Sequence, residues 1–145
     1  MSYSDKSTTA SVQVSTVRRK KSFADIDLSL PIHPYRGDLT PLKDDDAIKN
    51  SVKNLILTNF YERPFQPDKG ANLVGLLFEH ADAFTALEIE EAVRDVLGIY
   101  EPRIIVNGVI CNDDSQKNAW RITVNYTIRS FGIPSKVGVV LKRLR

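Results

Sequence analysis

The chain is short of nearly everything that marks a chemical centre. It has one cysteine, Cys111, in 145 residues, so no intrachain disulfide can form. That fits a reducing compartment, or a fold stable without cross-links. Its two histidines, His33 and His80, lie far apart in sequence. No H-E-x-x-H or C-x-x-C spacing occurs, which argues against a zinc site. The seven glycines never form G-x-G-x-x-G or a P-loop, so no phosphate cradle is signalled. No apolar run approaches the roughly 18 residues that span a bilayer. The N-terminus lacks the apolar core of a secretory leader. The expectation is a protein used without secretion, with no cofactor and no membrane. Net charge is only +2, so nothing requires a nucleic-acid partner.

What is present suits one domain with an extension. The apolar fraction of 42% is enough for a core. Residues 1–22, "MSYSDKSTTASVQVSTVRRKKS", hold no Leu, Ile or Phe. Such a segment buries too little apolar surface to offset its ordering entropy. It reads as a flexible or partner-ordered arm ahead of a domain at 23–145. The arm's basic cluster is Arg18, Arg19, Lys20 and Lys21. No aromatic interleaves it, so a stacking platform for single strands is not indicated. Acidic or polar protein surface on a neighbouring subunit is the expected contact.

Periodicity orders the rest. Three prolines and a glycine make residues 23–43 extended and irregular. Ile48, Val52, Leu55 and Ile56 then share one helical face, with Asp44, Asp45 and Asp46 placed to cap its start. "YERPFQPDKGANL" is a loop, and "LVGLLFEH" a short helix. Thr85 and Glu88 fit a capping box for a helix whose face is Ile89, Val93, Val96 and Tyr100. Glu90 and Arg94 stand as a favourable i, i+4 pair, and Pro102 ends the helix. Three strands follow: "RIIVNGVIC" with Gly108 a bulge candidate, "AWRITVNYTIR" and "KVGVVLKRL". The middle one alternates strictly, with Trp120, Ile122, Val124, Tyr126 and Ile128 on one side, as in a half-buried antiparallel strand. Helices followed by strands predict α+β: an extended arm, then two to three helices packed on a small antiparallel β-meander.

Catalysis is a minority reading. Glu62, Asp68, Glu79 and Asp82 surround a loop, and a lysozyme-like glycosidase needs only two placed carboxyls. Yet a chain with eighteen acids always supplies such sets, and caps or solvated faces explain most of them. Cys111 in a strand reads as a small buried hydrophobe. His80 reads as exposed or capping.

Several phrases together carry a resemblance. They are "FADIDLSL" (23–30), "GDL" (37–39), "AIKNSVKNLILTNFYERPFQPDKGANL" (47–73), "LLFE" (76–79) and "YEPRI" (100–104). In order and spacing they resemble the baseplate wedge, or sheath initiator, proteins of contractile-tailed phages. This GPW/gene twenty-five-like family also includes a type VI secretion baseplate subunit. The resemblance runs from about Phe23 onward. The loop departs from the family pattern at Gln66 and Lys69 but keeps Arg63, Pro64, Phe65, Pro67 and Gly70.

The resemblance implies structural work, without enzymatic activity or cofactor, in the virion after assembly in host cytoplasm. Expected partners are other wedge proteins and the tail sheath, with the tail tube a further candidate. Six copies would surround the tail axis, each a monomer when isolated. The motif matching Glu101, Pro102 and Arg103 would dock on the wedge core. An open strand edge is a pairing template. Lys136, Val137, Val139, Leu141 and Arg143 on the last strand are the expected sheath-pairing residues. Both Glu101 and Arg103 are expected to project outward, so that replacing either leaves the isolated domain's melting unchanged. The rival readings are a cell-wall hydrolase and the equivalent subunit of a bacterial contractile secretion system.

Overall fold

The computed structural model describes residues 22–143, apart from 28, 29 and 36. The four arm residues Arg18, Arg19, Lys20 and Lys21 lie outside the described residues, as does the end of the last predicted strand at 144. The described chain is α+β. Strands β1 (Ala24–Ile26) and β2 (Pro41–Lys43) form a two-stranded antiparallel ribbon within the proline-rich stretch. Helix α1 (Asp44–Leu57) follows directly. After a loop and a 3-10 turn (Gly75–Phe78) comes α2 (Ala83–Tyr100). Strands β3 (Ile104–Asp114), β4 (Ala119–Ile128) and β5 (Ile133–Lys142) form an antiparallel sheet with β4 in the middle.

One face of this sheet meets the helices. All five alternating residues of β4, from Trp120 to Ile128, are buried. They pack in one cluster with Ile48, Val52, Leu55 and Ile56 of α1 and with Ile89, Val93 and Leu97 of α2. Burying each such side chain contributes about 1.5–3 kcal/mol. Leu97, not Val96 or Tyr100, completes the buried stripe of α2, and those two are only partly covered. The predicted bulge is real. The β3–β4 register shifts between Val106 and Gly108, leaving Asn107 as the extra residue.

Both helix starts differ from the sequence expectation. Lys43 occupies the cap position of α1, and no side chain caps it. Asp44 has a left-handed backbone (φ 48°), and its carboxylate accepts from Phe23 N at 3.1 Å. Asp45 instead receives Ser135 Oγ at 2.9 Å and pairs with Lys49. The predicted capping box fails because α2 begins earlier, at an Asp82 whose carboxylate accepts from Thr85 N at 2.8 Å. Thr85 is buried and donates to His80 O. Among the described residues no helix is long and apolar enough to cross a membrane. No group of His, Cys, Asp or Glu there could hold a metal ion.

Candidate functional site

The helix–strand junction carries a tight polar cluster. Pro102 is exposed and ends α2 as expected. Glu101 does not project outward: it is 2% exposed. Its carboxylate receives Arg103 Nε at 2.5 Å and Nη2 at 2.6 Å, a two-pronged pair. Ser51 Oγ donates a third bond at 2.6 Å from α1. Burial acts to raise the Glu101 pKa, but the bonds from Arg103 and Ser51 outweigh it and hold the carboxyl below its ordinary value. Arg103, with its side chain 29% exposed, lies 5.4 Å from the Phe23 ring centre. So Glu101 is an internal anchor tying α1 to the junction. Only Pro102 and part of Arg103 are offered to a partner.

The sheet has two edges of different character. On β3, the Asn107 bulge breaks regular pairing, and Glu90 Oε1 of α2 accepts from Cys111 N at 2.8 Å. That bond replaces the expected Glu90–Arg94 pair. Cys111 itself is buried, and burial, with the nearby Glu90 charge adding, pushes its thiol up to about 12. On β5 the register with β4 is regular from Ile133 to Lys142. The next residue, Arg143, donates N–H to Asn118 O at 2.9 Å. Bonded and unbonded pairs alternate in an antiparallel ladder. Odd-numbered residues of β5 therefore bond to β4, and even-numbered ones turn their backbone groups to the open edge. Pro134, which has no N–H to give, falls in the even set.

This alternation divides the expected pairing residues by where their backbone groups point. Val139 and Leu141 are buried and Val137 is half-buried in the core. Their backbone groups are engaged with β4. Arg143 pairs with Asp113 and lies 4.9 Å from the Trp120 ring centre. Of the five, Lys136 alone presents backbone to the open edge. Gly138, Val140 and Lys142 complete that row. The signal that identifies them was in the sequence, since a proline inside a strand must sit with its missing N–H on an edge.

The loop motif is an exposed, internally braced turn. Glu62 grips Asn59 through its N and Nδ2, and Tyr61 N donates to Pro67 O at 2.7 Å. Tyr61 and Phe65 both have left-handed backbones (φ 66° and 67°) and point into solvent. Pro64 and Pro67 are exposed and Arg63 is half-buried. Gly70 (φ 144°) passes so close to α1 that a Cβ there would lie 2.3 Å from Thr58 O.

The four carboxylates do not form a catalytic pair. All are exposed. Glu62 is engaged with Asn59 and Asp82 caps α2, and these hydrogen bonds lower both pKa values. A general acid needs the opposite shift.

The fold and these surfaces define a class: a small α+β domain whose conspicuous features are an open strand edge, an anchored junction and a braced loop, all suited to assembly. Residues 43–131 match the family model of baseplate wedge protein gp25. The baseplate wedge protein gp25 of Enterobacteria phage T4 is 33% identical over 97 residues, which is 65% of this chain and 73% of that one. The chain belongs to the gp25 baseplate wedge family. The match is narrower than the resemblance read from sequence, since the phrases at 23–30 and 37–39 lie outside it. Two solved structures share the fold. One is a Geobacter sulfurreducens protein whose name suggests a tail lysozyme, with TM-score 0.64 and 23% identity over 68% of this chain and 89% of that one. The other is a chain of the six-fold symmetrised anti-feeding prophage baseplate, with TM-score 0.59 and 16% identity over 86% and 88%.

Proposed function

We propose that this protein docks on the core of a baseplate wedge and templates the first sheath ring by lending β5 as a pairing edge. The observation that carries this reading is the contrast between the two edges. β3 is bulged and met by Glu90, whereas β5 offers an unbroken row at Lys136, Gly138, Val140 and Lys142. Natural sheets usually protect a long regular edge, so one left open fits a waiting partner strand. Lys136 and Lys142 would deter pairing with the wrong edge until a sheath strand arrives. Docking on the wedge would use exposed Pro102 and the accessible part of Arg103. The domain at 23–145 would act as the unit of assembly, with the arm at 1–22 laid on a neighbouring subunit. We read the protein as non-enzymatic, in keeping with its membership of the baseplate wedge family.

Proline substitutions test the edge. Gly138→Pro and Val140→Pro remove only outward N–H groups, so each variant should melt near wild type and enter baseplates. Those baseplates should lack sheath in electron micrographs. Val139→Pro, which breaks the β4 ladder, should unfold the domain and serves as the control. Normal sheath on baseplates carrying folded Gly138→Pro and Val140→Pro would refute the edge. Pro102→Glu tests docking separately: it should leave melting unchanged and exclude the protein from baseplates.

A further inference from the structure

The three-stranded sheet turns one face to the helices and leaves the other bare. On β5 the inward residues Val139 and Leu141 are buried and Val137 is half-buried. Side chains alternate along a strand, so Lys136, Gly138, Val140 and Lys142 lie on the outer face. These are also the residues whose backbone groups turn to the open edge. A strand added at that edge sets its own outward side chains beside these four. The four residues therefore specify what the added strand must carry.

Gly138 leaves a gap in the row. Its register partner is Thr123 on β4, and one strand further lies Ile110 on β3. Thr123 is half-buried and Ile110 is 48% exposed. Nothing lies within 4 Å of where a Gly138 Cβ would be, and its φ is one that any residue adopts. A glycine inside a strand weakens it and often marks close approach by another group. No contact among the described residues accounts for it. An aromatic side chain on a neighbouring strand can lie over such an edge glycine and restore the lost packing. The two lysines are a second, independent feature. Neither Lys136 nor Lys142 takes part in an ion pair among the described residues. Asp114, on β3, is already taken by Arg121 at 3.0 Å. Val140, between Gly138 and Lys142, is 55% exposed.

We propose that β5 selects an extended strand, from a protein other than this one, whose outward residues run acid, aromatic, β-branched, acid at alternate positions, counted from the Lys136 end. The acids answer Lys136 and Lys142. The aromatic ring covers Gly138 and reaches Thr123, and the β-branched residue packs on Val140. This inference rests on the reading of β5 as the pairing edge and adds what the partner strand is made of. Two other occupants fail by charge. A second copy of β5, paired about Val139, sets Lys136 directly against Lys142, and like charges so placed oppose pairing. The chain's own residues 1–22 contain a single acid, Asp5, and carry the basic cluster.

Isotope-labelled full-length protein and synthetic heptapeptides test this by NMR titration. The probe carries glutamate at both ends, tyrosine third, valine fifth and threonine elsewhere. Its reverse covers the opposite strand direction. One control puts serine for tyrosine, and another puts lysine for glutamate. The better of the two probes should move the amides of Lys136, Gly138, Val140 and Lys142, and bind about fivefold tighter than either control. Gly138→Thr fills the gap, so it should cut the tyrosine preference to about twofold or less while melting no lower than wild type. Lys136→Glu with Lys142→Glu should reverse the preference to the lysine-ended peptide. Equal binding of either control at the β5 amides overturns this inference and leaves the edge itself standing. A tyrosine preference that survives Gly138→Thr, failure of every peptide to move the β5 amides, or self-association through β5 overturns it as well. The edge reading is judged separately, by sheath on baseplates carrying Gly138→Pro and Val140→Pro.

Discussion

Glu101→Ala should destabilise the isolated domain substantially. The substitution removes an acceptor that is 2% exposed and takes three hydrogen bonds of 2.5–2.6 Å. Breaking a fully buried ion pair by deleting one partner costs about 3–5 kcal/mol. Here the surviving partner, Arg103, is 29% exposed and can regain water, which discounts the loss. Ser51 is half-buried and can do the same. The expected cost is therefore about 2–3 kcal/mol, or roughly 8–12 °C in melting temperature for a domain of this size. Thermal melting by circular dichroism at neutral pH measures it, with two-state behaviour checked by a second probe. Glu101→Gln separates charge from shape. The folded carboxyl titrates below its ordinary value, because the Arg103 and Ser51 bonds outweigh burial. A depressed carboxyl stabilises the fold above its unfolded value of about 4.3 and loses that contribution as pH falls through the folded value. The gap between wild type and Glu101→Gln should thus be full at pH 7 and close below about pH 4. A Glu101→Ala variant within about 0.5 kcal/mol of wild type would refute this account and return Glu101 to the surface.

Three smaller expectations concern the scaffold. Gly70→Ala should cost about 2 kcal/mol or more in urea unfolding, because its Cβ would meet Thr58 O at 2.3 Å and its φ of 144° is hostile to a side chain. Asp82→Ala should lower the melting temperature measurably while Glu88→Ala leaves it almost unchanged, which distinguishes the observed cap from the capping box read in sequence. Cys111 should resist a thiol reagent in the native state and react at the rate of unfolding, since burial pushes its thiol up to about 12. Native-state labelling at the rate of a free thiol would show that β3 opens locally.

Legibility in the sequence followed how local each constraint is. The alternation of β4 was plain because one face is fully buried and the other is not, and a period of two leaves no other register. The bulge announced itself through Gly108. The Glu101 anchor was not legible, because its second partner, Ser51, is 50 positions away and no local pattern links them. Arg103 and Glu101 looked like two exposed charges because that is what an acid and a base around a turn proline usually are.

Glu90 shows which effect wins when local and tertiary partners compete. Arg94 stands four residues on, and such an exposed pair stabilises a helix by about 0.2–0.5 kcal/mol. Across the helix–sheet interface waits Cys111 N, part-buried on the edge of β3 that β4 does not reach. Leaving a buried donor unpaired costs about 1–3 kcal/mol. The carboxylate therefore turns to the strand, and in doing so occupies one donor on the β3 edge. Among the described residues no helix acid meets the outer row of β5. The same preference that defeats the sequence reading of Glu90 thus leaves the two edges of one sheet unequal, and that inequality points to β5 as the strand a partner would meet.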